Sequence, residues 1–308
     1  MNAPYLHRAT TVRQIMLQGL LALMPGIAVS AGLFGLGLVV QLAIASTTAL
    51  IVDALALRLR KRDWRLYLFD GSALLNAWQL TVLLSPLAPW WLTVIATLAS
   101  TLLGRHFSSR LADYRFNPAM IGLLAVLAIG PAHLGQWSGS LSGAALPLSE
   151  QLTRIFSVAG GQSSDLPAAS RQDLFWQSLA YLLGGLYLLW QKRVRWPIPV
   201  TCLSASVVTG LLLMGLGFTT PVSLQPLLVS SVLCGFFIAP DPASSPGTHK
   251  GRLIFGTLVG ILLTVLPTLG HVGDGMALAV LLMNCATPLI NHLTQTPRFG
   301  QSKPDRPV

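Results

Sequence analysis

Residues 19–62 read GLLALMPGIAVSAGLFGLGLVVQLAIASTTALIVDALALRLRKR. Between Gln14 and Leu57 the one charged side chain is Asp53, and the apolar stretch ends abruptly on Arg58, Arg60, Lys61 and Arg62. A bilayer core about 30 Å thick takes roughly 20 apolar residues per helix. The stretch therefore predicts two consecutive membrane-spanning helices, at 14–32 and 35–57, closed by a basic anchor. Outward from this pair the pattern recurs at 69–86, 88–104, 116–133, 174–191, 197–217, 223–240, 251–269 and 273–292, which makes ten runs. Asn76 and Gln79 in the third run are expected to face protein rather than lipid.

Composition agrees with lipid as the solvent. The chain has 308 residues, 53% of them hydrophobic and only 10% charged, against about 25% charged in soluble domains. Its net charge of +10 would suit a nucleic-acid partner, but the placement of the charges argues for topology instead. Sorted by loop, 18 of the 20 basic residues fall on the side of the amino terminus, and only Arg154 and Arg171 fall on the other. The positive-inside rule then puts both termini in the cytoplasm and requires an even number of spans. Trp64, Trp90, Trp91, Trp176, Trp190 and Trp196 stand at predicted span ends, where an amphipathic ring is favoured. The fold expected is all-α, one polytopic membrane domain over 1–308 with a single long external loop at 134–173.

Ala28-Val29-Ser30-Ala31 has the small-residue spacing of a secretory cleavage site. We expect the span to be retained, since its removal would leave nine helices and an external terminus. Ten spans divide as five plus five, and an odd half means that a duplicated second half enters the membrane inverted. LLNAWQLTVLLSP at 74–86 and LVSSVLCGFFIAP at 228–240 share length, an apolar body and a terminal proline. Cys202, Cys234 and Cys285 stand singly in apolar stretches and are expected to pack rather than to bind metal or form disulfides.

Three polar positions at the basic side carry chemistry. Arg115-Phe116-Asn117-Pro118 begins the fifth span. Asn117 is a helix cap with proline at the first helical position, and its amide also suits the reading of a planar heterocycle, with Phe116 or Trp64 to stack on it; the two roles are compatible. Asp70 precedes Gly71-Ser72 as a cap for the third span. Asp241 lies in APDPASSPG at 239–247, richer in proline and glycine than a connector needs, and such backbone is tolerated where it lines a cavity. Lys250 and Arg252 are expected to anchor at the interface. Asp53 is the deepest acid and is expected to pair with Arg58 or Arg60. No hydrolase, P-loop or dinucleotide signature occurs, and the glycines within spans are expected to serve helix packing.

Seven ordered stretches together resemble one family: LFDGSALL at 68–75, SPLAPWW at 85–91, RFNPAM at 115–120, LLGGLYLLW at 182–190, FFIAPDPASSP at 236–246, GRLIFGTLVG at 251–260 and GMALAVLLMNCATPLI at 275–290. They resemble the D subunits of Rnf electron-transport complexes, relatives of the B subunits of sodium-translocating NADH:quinone reductases. The resemblance covers nearly the whole chain. It implies a ten-helix bacterial inner-membrane subunit, inactive alone, of a complex that passes electrons between ferredoxin and NAD while moving ions. Nucleotide and iron–sulfur sites would belong to the other subunits of that complex.

The resemblance further implies FMN joined by phosphoester to a threonine in an external loop, and a second flavin, riboflavin, near the cytoplasmic helix ends. Here the sequence departs from the family. Ser142-Gly143-Ala144-Ala145-Leu146-Pro147 follows the pattern with Ala145 in the threonine's place and Gly139 in that of an acidic residue. Alanine has no hydroxyl to esterify, so covalent FMN is not expected. Either riboflavin or FMN binds noncovalently, or the subunit relies on its partners alone. Asn117, with Phe116, Asp70 and Asp241, is the expected cytoplasmic-side flavin site, and no metal site is expected. The competing class is a transporter or channel for a small polar solute, which a five-plus-five repeat with broken helices also suits.

Overall fold

The computed structural model describes residues 11–61, 70–107, 115–131, 146–157, 169–218, 224–270 and 275–295. These residues form helices joined by turns, with no β-strand among them. The first half comprises α1 (Val12–Phe34), α2 (Gly37–Leu59), α3 (Ser72–Thr81), α4 (Trp90–Ala99, continued as a π-helical segment over Ser100–Phe107) and α5 (Pro118–Ile129). A short helix α6 (Leu148–Phe156) comes next. The second half comprises α7 (Arg171–Trp190), α8 (Pro197–Gly215), α9 (Leu224–Leu233, continued as a π-helical segment over Cys234–Ile238), α10 (His249–Gly270) and α11 (Met276–Thr294).

Each of the ten predicted runs thus contains a helix. Five of the helices, α1, α2, α8, α10 and α11, are long and apolar enough to cross a membrane by themselves. The third run departs from expectation, because helix covers only Ser72–Thr81 of 69–86. Pro86 and Pro89 cannot donate to a helical ladder, and residues 82–89 run as buried turns. Their polar groups are met within the protein: Leu83 N–H donates to Leu80 O at 3.1 Å, Ala88 N–H to Ser85 O at 3.0 Å, and Gln41 Nε2 to Ala88 O. Irregular backbone at this depth survives only when so covered. In the second half, α9 ends likewise at the proline-rich stretch 239–248.

The two halves pack in the same order. α2 lies on α3 and α4, and α4 on α5; α8 lies on α9 and α10, and α10 on α11. Like elements then meet across the halves, α1 against α7 and α5 against α11. This is the arrangement expected of a five-plus-five repeat.

The boundary between α1 and α2 falls at Gly35, whose φ of +97° suits only glycine, at the junction expected between the first two runs. Glycines close the α1–α7 contact as expected. A Cβ at Gly184 would lie 1.8 Å from Ala22 O, and one at Gly26 would lie 2.1 Å from the Tyr181 ring. Cys202 and Cys234 are buried in the core, whereas Cys285 is exposed. The helix α6 carries no signal in the apolar runs. It buries Ile155 and Gln151, and Gln151 Oε1 accepts from Gly37 N–H at 2.6 Å, tying α6 to the α1–α2 turn. Ala145, Gly139 and Ser142 lie outside the described residues.

Candidate functional site

A cavity of about 350 Å³ opens where the two halves meet. Its walls come from the start of α1 (Met16), from α3 (Asn76, Gln79), from Arg105 in the π segment of α4, from Phe116, and from Phe236, Phe237 and Asp241 at the end of α9. Arg115 and Arg193 also line it. The start of α1, the ends of α4, α7 and α9 and the approach to α5 thereby converge on one end of the bundle, the end that the charge pattern marks as basic.

The π segments explain how α4 and α9 serve this site. A π turn shifts the hydrogen-bond ladder by one residue and re-aims the chain beyond it. In α9, Ala239 N–H returns to Cys234 O at 2.8 Å, and the last carbonyls lack helical partners. The first half supplies them. Gln79 Nε2 donates to Phe237 O at 2.6 Å, and Asn117 Nδ2 donates to Ile238 O at 3.1 Å.

Asn117 is buried, and both its amide oxygen and its amide nitrogen bond to protein. Its Oδ1 caps α5 by accepting from Met120 N–H at 3.3 Å. Asn284 of α11, with its amide oriented to satisfy both partners, accepts from Asn117 N–H at 3.0 Å. Asn117 therefore stands behind the cavity wall and fixes Ile238, while its neighbour Phe116 lines the cavity. Asp70 also stands behind the wall. Its Oδ1 accepts from Ser72 N–H at 2.8 Å beside Gly71, which has a φ of +81°, and its Oδ2 lies 3.7 Å from Arg105 Nη2. Asp241 lies on the cavity and organises its own turn, accepting from Ala243 N–H and from the Ser244 hydroxyl, both at 3.2 Å. Burial pushes the Asp241 carboxyl above its ordinary range, opposed by those two hydrogen bonds and by the charge of Arg115.

Asp53 differs from the sequence expectation. Its partners are not Arg58 or Arg60: Oδ1 lies 2.8 Å from His106 Nε2, and Oδ2 lies 3.6 Å from Arg105 Nη2. Arg60 instead donates from Nη2 to the His106 carbonyl at 2.9 Å. The π segment accounts for the difference, because it brings Arg105 and His106 onto α2. Sequence reasoning misses Arg105 and His106 as site residues; the signal available is an arginine and a histidine closing an apolar run in a chain with a lone intramembrane acid.

The family model described as NQR2, RnfD, RnfE matches residues 1–300. A protein of Sodalis glossinidius described as the D subunit of an ion-translocating oxidoreductase complex is 34% identical over 342 aligned positions, covering 97% of this chain and 98% of that protein. Proteins of the same description from Salmonella paratyphi B and Salmonella typhi are each 34% identical over 345 positions, covering 98% of both chains. With a helix in each apolar run, the paired halves and a match over nearly its full length, this chain belongs to the NQR2, RnfD, RnfE family.

Proposed function

We propose that this chain is a membrane subunit of an ion-translocating ferredoxin:NAD oxidoreductase complex of the Rnf type, supporting electron transfer coupled to ion transport. The observation that carries the reading is the cavity between the halves, together with family membership over the whole chain. The subunit would sit in a bacterial inner membrane with both termini cytoplasmic, as the charge sorting requires. Its partners would be the other subunits of the complex, which carry the iron–sulfur and nucleotide chemistry, and the lipid bilayer.

The cavity suits a noncovalently held flavin, riboflavin or FMN. Its volume of about 350 Å³ lies in the range of small-ligand sites, which combine mostly apolar walls with a few placed polar groups. Phe116, Phe236 and Phe237 offer faces for a planar ring, and Asn76 and Gln79 offer amide groups at its edge. A bound flavin supplies one- and two-electron redox chemistry. The chain's own work is to bind, orient and shield: Asn117 and Gln79 lock the α9 carbonyls that shape the wall, and Asp70 steadies Arg105. Covalent FMN is not proposed, because Ala145 offers no oxygen for a phosphoester.

An absorption spectrum of the purified native complex, taken before and after acid precipitation, tests the reading. Flavin released into the supernatant and attributable to this subunit supports it; a subunit free of flavin removes the cofactor assignment. The paired halves with unwound segments also suit a transporter. Solute flux by the lone chain in liposomes would favour that reading, whereas co-purification with flavin and iron–sulfur subunits favours the complex.

A further inference from the structure

We propose that Arg105 is the ligand-binding cation of the cavity, donating to the carbonyl edge of the bound flavin and favouring its reduced form, with Asp53 and Asp70 as positioning residues. The inference rests on the flavin reading of the same cavity and deepens it.

Three observations carry it. Arg105 lines the cavity from the π segment of α4, where Gly104 brings the backbone so close to α5 that a Cβ would lie 2.6 Å from Pro118 Cα. Its guanidinium is held from two sides, by Asp53 of α2 at 3.6 Å and by Asp70 ahead of α3 at 3.7 Å. Both carboxylates address the same nitrogen, Nη2, at ion-pair rather than hydrogen-bond distance. Nη1 is buried and has no hydrogen-bond partner among the described residues. The charge is thus fixed in place while donors of the guanidinium remain unsaturated, which is unusual for a buried polar group.

Complete burial of Asp53 is costly for a carboxylate inside a membrane protein unless it is paired and useful. Its second partner, His106, is held in turn through its carbonyl by Arg60. The network of α2, α4 and the approach to α3 therefore converges on the orientation of one arginine. A planar fork suits a carbonyl or a developing anion, and positive charge near the flavin pyrimidine edge stabilises the reduced ring. Arg115, Arg193 and Asp241 are the other charged groups beside the cavity; Asp241 remains tied to its own turn.

The test uses the purified complex with Arg105→Gln. Riboflavin is titrated into flavin-depleted wild type and variant and followed by fluorescence quenching, and the potential of the bound flavin is measured by spectroelectrochemistry. The expected result is at least tenfold weaker riboflavin binding. A further tenfold preference against the reduced form is expected, read as a shift of about 30 mV to more negative potential for a two-electron couple. Where Arg105→Gln does not assemble, Arg105→Lys keeps the charge between the two aspartates but loses the fork, and at least threefold weaker binding is expected. Unchanged affinity and potential in a flavin-binding variant overturn the role of Arg105 and leave the flavin reading standing. A wild-type complex that binds no flavin in this subunit overturns both.

Discussion

His106 Nε2 and Asp53 Oδ1 lie 2.8 Å apart, and the aspartate is wholly buried among helices that cross the membrane. The pair joins α2 to the π segment of α4, and Arg105 extends it to Asp70. Removing the Asp53 carboxylate leaves His106 Nε2 without this buried partner, at a cost of about 1–3 kcal/mol, and leaves Arg105 with Asp70 as its remaining ion-pair partner. Asp53→Ala is therefore expected to lower the unfolding temperature of the detergent-solubilised protein strongly. Asp53→Asn, which keeps a hydrogen bond to His106, should lose less. Equal stability of Asp53→Ala and wild type would show that the pair is not structural.

Asn117→Ala removes the α5 cap, worth about 1 kcal/mol, and one of the two hydrogen bonds that the Ile238 carbonyl accepts, the other coming from Asp241 N–H at 3.3 Å, worth about 1 kcal/mol more. Asn117 stands behind the cavity rather than on it. Flavin retention should therefore fall together with thermal stability, and saturating riboflavin should restore occupancy. Loss of flavin with full stability would place the amide on the ligand instead.

Gly184→Ala puts a methyl group 1.8 Å from Ala22 O, where backbone rather than a flexible side chain must yield. Overpacking of this kind costs roughly 1–3 kcal/mol or more. The expected outcome is poor accumulation in membranes, and Gly32→Ala, with open space around it, is the control that should behave as wild type. Normal accumulation of both would show that α1 and α7 separate readily.

Alanine at 145 predicts a dark band for this subunit when the complex is run on a denaturing gel and viewed under flavin excitation. Fluorescence on the band would locate a covalent acceptor elsewhere, with Ser142 the nearest hydroxyl in the stretch Ser142–Pro147.

Burial raises the Asp241 carboxyl in the folded protein. The folded state therefore binds a proton more tightly than the unfolded chain. That contribution is complete below the ordinary aspartate value of about 3.9 and is lost as pH rises through the folded value. Asp241→Asn can still accept from Ala243 N–H but has no charge to bury. Its stability relative to wild type should rise from acid toward neutral pH, as measured by thermal unfolding across that range. A difference independent of pH would mean that Asp241 is solvated in the folded protein.

Much of this architecture is legible in the chain. Apolar run length locates each helix of the two halves, and the Asn117-Pro118 pair announces a cap that the structure contains. Gln79, read as facing protein, binds the Phe237 carbonyl. Of the four polar and aromatic positions singled out in the sequence, Phe116 and Asp241 lie on the cavity, and Asn117 and Asp70 do not. The rest depends on geometry that periodicity does not encode. A π turn leaves no mark in an apolar run, so the placement of His106 against Asp53, 53 residues away, has no signature in the sequence. The eight turn residues after α3 resemble helix in composition, since Val82-Leu83-Leu84 continues the run before Pro86 stops the ladder. α6 is hidden from a search for apolar runs because it is short and amphipathic, held by the Glu150–Arg154 ion pair at 2.9 Å and by Gln151 docking on the α1–α2 turn.

Gln151 has a mechanical consequence. It fastens α6 to the Gly35–Gly37 joint at one end of α1, and Met16 at the other end forms part of the cavity wall. α1 thus runs about 35 Å at 1.5 Å per residue between the α6 contact and the cavity. Pro25, at mid-length, removes one rung of its ladder beside the close contact of Gly26 with Tyr181. Pro25 thus weakens the ladder at the level where Gly26 lies against Tyr181, so packing against α7 supports the helix where its own backbone supports it least.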